Sequence, residues 1–183
     1  MLPPHAPPSF SDRSTLWNSV EQTEKSNNSQ LAREIELALP VELSREEQTR
    51  LVREYCSSQF VSKGMCADFN IHDTGSGNPH AHILLTMRPL DEKGAWAAKS
   101  KKEYVLDESG EKILLPSGRY KTRKIDLMDW NRQENADLWR KAWADMANDF
   151  LEQNGSAERI DHRSNAERGI EELPTVHMGV AAC

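Results

Sequence analysis

The stretch Met65-Cys66-Ala67-Asp68-Phe69-Asn70-Ile71-His72, then Asp73-Thr74-Gly75-Ser76-Gly77-Asn78-Pro79, then His80-Ala81-His82-Ile83-Leu84-Leu85-Thr86-Met87-Arg88, decides how this chain is read. Both outer limbs alternate apolar and polar residues, and period two predicts a β-strand with one apolar face. The middle limb is rich in Gly, Pro, Asn and Asp and predicts the loop joining the two strands. His80 and His82 stand two apart on one strand, so both imidazoles leave the same face. A strand ending at His72 brings a third imidazole to them across the loop.

Half of the six histidines thus fall within eleven positions. Three neutral imidazoles on one face form a facial nitrogen set for a divalent cation, with positions left for water or substrate oxygens. The set suits zinc, manganese, nickel or iron, and a substrate phosphate would favour the harder ions. A His-x-His pair on its own often only meets solvent. The third histidine and the Gly-x-Gly-x-Pro connection are what make His72, His80 and His82 a metal-ligand candidate.

Working outward, Gln30 to Pro40 places Ile35, Leu37 and Leu39 in alternation with Glu34 and Glu36, which predicts another strand. If it neighbours the histidine strands, Glu34 or Glu36 can accept the second N–H of a metal-bound imidazole, and Asp68 and Asn70 share the face of His72. A solvated strand face explains the same glutamates. Ser44-Arg45-Glu46-Glu47 has capping-box spacing ahead of Leu51, Val52, Tyr55 and Phe60, a helix that Gly64 stops. A shorter helix begins behind Ser11 or Asp12 and runs to about Glu24, after a proline-rich loop from Pro3 to Ser11 that holds no regular element. A long helix is expected from near Asp126 or Asp129 through Trp130, Leu138, Trp139, Trp143, Met146, Phe150 and Leu151 to Gly155. Its aromatic stripe suits burial against a sheet better than base stacking. The tail from Ala157 to Cys183 is loop-rich. The elements add up to an α/β chain of the α+β two-layer kind, with a mainly antiparallel central sheet and helices packed on it.

At 183 residues, 37% hydrophobic and with a mean hydropathy of −0.73, the chain is the size of one domain, residues 1–183. No apolar run approaches the roughly 20 residues of a membrane span. The N-terminus has neither the basic nor the apolar region of a secretory signal, so a cytoplasmic chain is expected. Cys56, Cys66 and Cys183 lack metal or disulfide spacing and read as ordinary thiols.

Net charge is −6, yet residues 90–124 carry nine Lys or Arg against six acidic residues. This window is expected to protrude as a basic hairpin or loop insertion, with Asp107-Glu108-Ser109-Gly110 as a turn. Such an element could grip phosphates, with Trp96, Tyr104 and Tyr120 available for stacking; a mixed-charge solvated hairpin is equally compatible.

The run from His72 to Pro89 resembles the three-histidine motif of conjugative mobilisation relaxases of the MobA/MobL family, within the endonuclease class named for a His-hydrophobic-His motif, here with Ala81 in the middle. Asn28 to Pro40 resembles the family's glutamate-bearing strand. Arg159-Ile160-Asp161-His162-Arg163-Ser164 and Pro174-Thr175-Val176-His177-Met178-Gly179 resemble its C-terminal box. Three separated segments in the right order cover nearly the whole chain and are far more specific than His-x-His alone.

The resemblance implies a relaxase, palm-like sheet carrying one divalent ion, Mn²⁺ or Mg²⁺ first and Zn²⁺ or Ni²⁺ next, on His72, His80 and His82. It implies site- and strand-specific nicking of single-stranded DNA at a plasmid transfer origin, with accessory relaxosome proteins as further partners. In that family a tyrosine hydroxyl attacks the phosphodiester, leaving a 5′-phosphotyrosyl link and a free 3′-hydroxyl. Glu34, then Glu36, is the expected base-like or imidazole-orienting carboxylate. Lys121, Arg123, Lys124 and Arg163 are the expected DNA contacts, although His162, Arg163 and His177 equally suit pinning the tail. The family's tyrosine follows a first strand that has no counterpart after Met1, so the expectation is an N-terminally incomplete relaxase domain in which Tyr55, Tyr104 and Tyr120 are not the nucleophile. Two other readings are a noncatalytic fragment that binds single-stranded DNA and an unrelated three-histidine hydrolase or oxygenase.

Overall fold

The computed structural model describes residues 1–73, 75 and 77–172. Its centre is a three-stranded antiparallel sheet of β1 (Ala32–Ala38), β2 (Ala67–His72) and β3 (His80–Thr86), in the order β1-β3-β2. Two helices, α2 (Arg45–Gln59) and α3 (Glu134–Gln153), pack over one face, so the architecture is α+β with an antiparallel sheet and helices on it.

Strand parity decides which face the helices cover. Ala81, Ile83 and Leu85 of β3 are fully buried against Leu51, Val52 and Tyr55 of α2 and Trp143, Ala147 and Leu151 of α3. Burying Ile83 and Leu85 contributes about 1.5–3 kcal/mol each, which makes the register costly to slip. The even-numbered residues of β2 and β3 therefore leave the opposite face. Ser44 caps α2 by accepting from the Glu47 amide while Glu47 accepts from the Ser44 amide, a reciprocal pair whose loss costs about 1 kcal/mol.

The first helix, α1 (Arg13–Thr23), is capped by Asp12 and covers only one end of the second face. Phe10 and Leu16 bury Cys66 and Leu90 there, and Asp68 accepts hydrogen bonds from Arg13 at 2.7 Å and from Trp17 at 3.0 Å. Asp68 is thereby committed to α1. The other end of that face, carrying His72, His80 and His82, stays open.

Two boundaries differ from expectation. Pro8–Ser11 forms one 3₁₀ turn, because prolines lack the donors but not the φ that such a turn requires. The long helix starts at Glu134 rather than near Asp126 or Asp129. Asp126 instead ends β5 (Thr122–Asp126), which pairs with β4 (Ser100–Tyr104), so Trp130 is buried ahead of the helix rather than on it. The strand hydrogen bonds of β5 and the bends at 127–133 outweigh the helical spacing of Leu127 and Trp130.

The β4–β5 ribbon continues outward through the bridges Leu106 to Lys112 and Leu114 to Tyr120. At its base, Glu24 at the end of α1 meets Arg88 at 3.1 Å and Lys99 at 2.7 Å, tying the arm to β3 and α1. No helix of the described residues is long and apolar enough to cross a membrane.

Candidate metal centre

Antiparallel register sets His72 directly opposite His80, with His82 two residues further along the same face. The loop between them closes because Asp73 accepts from the Gly75 amide at 2.8 Å while Gly75 and Gly77 take φ of 73° and 80°, a conformation that costs an L side chain about 1–2 kcal/mol. The three imidazole centroids lie 4.8–5.5 Å apart, and one nitrogen from each lies within 4.8 Å of the others.

For two of the rings the outer hydrogen bonds fix which nitrogen is free. His82 Nδ1 lies 2.8 Å from Glu34 Oε1, and His80 Nδ1 lies 2.9 Å from the Asn78 carbonyl. A carboxylate and a carbonyl only accept, so both Nδ1 atoms carry the proton. In the neutral rings, the lone pair is then on Nε2. A donor set of three imidazoles with two rings already oriented by acceptors suits a first-row divalent cation.

Glu34 and Glu36 both leave the histidine face of β1, but the geometry treats them differently: Glu34 holds His82, and Glu36 makes no hydrogen bond to the three rings. Asn78 acts through its main chain, for which side-chain identity carries no signal. Arg33 leaves the other face, donating to the Trp130 carbonyl and to Asn131 Oδ1 and lying 5.3 Å over the Trp139 ring. Burial pulls its guanidinium below the ordinary value. A charged residue at an inward-facing strand position was the sequence signal for it.

The expected DNA contacts are distributed over two regions. Arg123 pairs with Glu103 at 3.2 Å and Lys124 with Asp126 at 2.7 Å, whereas Lys121 has no carboxylate within 4.0 Å among the described residues. Arg163 forks onto Asp161, at 3.0 Å from Oδ1 and 2.7 Å from Oδ2, and holds that carboxyl well below the usual carboxylate range. His162 lines a groove along β1, while His177 lies outside the described residues. Tyr55 is buried and donates to the Trp139 carbonyl at 3.0 Å, and burial pushes its phenol up. Tyr104 and Tyr120 sit in the arm around Lys112, whose Nζ is 4.0 Å from the Tyr104 centroid. No tyrosine is hydrogen-bonded to the cradle.

The chain that folds into this sheet matches the MobA/MobL family over residues 1–183 and belongs to that family. It is 35% identical to the probable mobilization protein MobA of Bifidobacterium longum (strain NCC 2705), over all of this chain and 34% of that protein. It is 39% identical to the conjugal transfer protein TraA of Agrobacterium fabrum, over 91% of this chain and 14% of that one, and 34% identical to the mobilization protein MobL of Acidithiobacillus ferridurans, over 93% and 47%. The chain thus spans under half the length of each of these relatives. A chain of the solved structure "Molecular Basis of Vancomycin Resistance Transfer in Staphylococcus aureus" superposes with a TM-score of 0.72 at 35% identity, covering 90% of this chain and 73% of that one.

Proposed function

We propose that this chain supplies the metal cradle and DNA-holding surface of a mobilisation relaxase, acting in metal-dependent, site- and strand-specific nicking of single-stranded DNA at a transfer origin. The observation that carries this reading is the convergence of three imidazole nitrogens within 4.8 Å on the open end of the sheet, two of the rings being held by acceptors from outside. His72, His80 and His82 would hold one divalent ion, Mn²⁺ or Mg²⁺ in preference to Zn²⁺ or Ni²⁺ because a phosphate oxygen is the intended fourth partner. Bound there, such an ion supplies Lewis-acid polarisation of the scissile phosphate.

The chain's own residues do the rest of the holding. Glu34 keeps the His82 proton on Nδ1 and so presents Nε2 inward. Lys121, with no carboxylate within 4.0 Å among the described residues, is one of the arm cations open to a phosphate; Arg123, Lys124 and Arg163 must exchange Glu103, Asp126 and Asp161 for it. The 1–183 unit, with 90–124 as an insertion within it, is read as the nicking domain.

The placement of all three tyrosines away from the cradle's hydrogen bonds favours a second reading, single-strand binding without cleavage by this chain alone. Calorimetric titration of metal-stripped protein with Mn²⁺, beside a His80→Ala/His82→Ala variant, is the first test. Stoichiometric binding lost in the variant supports the cradle; absence of binding by folded protein removes it. Incubating the metal-loaded protein with single-stranded transfer-origin DNA then separates nicking from binding alone. Turnover of small esters without affinity for DNA would instead overturn the nicking reading and make the cradle a hydrolytic site.

A further inference from the structure

A groove of about 620 Å³ runs along β1 on the side away from β3, between that strand and the first half of α3. Five consecutive β1 residues, Arg33 to Leu37, line one wall, and Arg132, Arg140 and Trp143 line the other, with His162 nearby. Among the described residues β1 pairs only with β3, so its outer edge faces this groove with unsatisfied backbone groups.

The charge pattern of the groove is unusual within this molecule. Seven of the thirteen arginines have a carboxylate within 4.0 Å; Arg33, Arg45, Arg53, Arg119, Arg132 and Arg140 have none among the described residues. Three of those six line this one groove. Arg33 spends its donors on Trp130 and Asn131, while Arg132 and Arg140 are exposed. Glu34 belongs to both places: it lines the groove and accepts from His82, so the groove starts where the metal cradle ends.

We infer that this groove holds the backbone of single-stranded DNA flanking the phosphate at the cradle, with Arg132 and Arg140 each meeting a phosphate oxygen. The inference rests on the reading of the cradle as a DNA site and adds the path the strand takes from it. A polypeptide adding to the β1 edge would need its backbone groups but not the guanidiniums. A phosphodiester chain uses both kinds of wall, since forked guanidiniums match its oxygens and the half-buried Ala136 and Ile160 offer an apolar surface to a base.

The test is fluorescence anisotropy of a short fluorescein-labelled oligodeoxythymidylate against wild type, Arg132→Ala/Arg140→Ala and a control, Lys25→Ala/Lys63→Ala, over a range of salt. Both guanidiniums are solvent-exposed, so the fold tolerates their loss, and single Arg132→Gln and Arg140→Gln variants back up the double one. The double variant should weaken Kd about tenfold and lower the log Kd against log salt slope by about 1.4, at about 0.7 per lost phosphate contact. The control should match wild type, and Mn²⁺ affinity by calorimetry should be the same in all three. Wild-type binding with an unchanged slope in the double variant overturns the groove and leaves the DNA reading standing. Failure of the wild type to bind the oligonucleotide at all overturns both.

Discussion

Glu34 Oε1 lies 2.8 Å from His82 Nδ1, although the strand register sets Glu36, not Glu34, opposite His82. The carboxylate reaches diagonally by two residues, a span that long side chains cover across antiparallel strands. If this contact orients the metal-binding ring, Glu34→Gln should weaken Mn²⁺ binding by about 10–100-fold, whereas Glu36→Gln should leave it within about twofold. Calorimetry on the two variants checks this, and equal losses in both would mean that the carboxylates act only through their shared charge.

Glu24 makes a different use of charge. Burial works against its ionised form, but the hydrogen bonds and charge of Arg88 and Lys99 outweigh burial and hold the carboxyl below its ordinary value of 4.5. A depressed carboxylate contributes stability that is full above the unfolded value and is lost as pH falls through the lower folded one. Glu24→Gln should therefore cost about 2 kcal/mol at pH 7, because two cations lose their partner. Below about pH 4.5 the gap between wild type and variant should narrow. Denaturation midpoints across that interval test it; a gap independent of pH would show that Glu24 acts by packing alone.

The sequence made some parts of this arrangement visible and hid others for physical reasons. Strict alternation in Ala67–His72 and His80–Thr86 is a local property, so both strands and the shared face of the three histidines could be read directly. Alternation alone does not choose between Glu34 and Glu36, since the choice depends on side-chain reach across two strands; only the family resemblance ranks Glu34 first. Nor could the start of α3 be read directly: Leu127 and Trp130 continue the helical spacing, but pairing of β5 with β4 is a contact between residues some 20 apart in sequence, which no local pattern records. The groove beside β1 escaped for the same reason, because Arg33, Arg132 and Arg140 converge only through packing of α3.

Gly94 is held where a side chain does not fit. Its φ is +77°, and a Cβ there would stand 2.9 Å from the His5 carbonyl and 3.1 Å from Pro7. Gly110, in the arm's turn, has φ of +83° with nothing within 4 Å. Gly94→Ala should cost about 3 kcal/mol, backbone strain plus a clash with a proline-stiffened segment, and Gly110→Ala only about 1 kcal/mol. Chemical denaturation of both variants gives the comparison; equal costs would mean that the opening segment yields without penalty.

The two buried thiols should report on separate parts of the fold. Burial pushes Cys56 up to about 12 and Cys66 to about 11, so neither forms an appreciable thiolate at pH 8, and iodoacetamide should leave both unlabelled in the native protein. Their coverings differ in strength. Cys56 sits on α2 within the large core shared with α3 and the sheet, whereas Cys66 lies under α1 in a small cluster with Phe10, Leu16 and Leu90. The smaller apolar contact gives α1 the lower opening free energy, and α1 covers the end of the face away from the histidines. In denaturant below the main transition, Cys66 should therefore be alkylated before Cys56, as resolved by peptide mass spectrometry. Simultaneous labelling would show that α1 opens only when the whole core does, making the covered and open ends of that face a single cooperative unit.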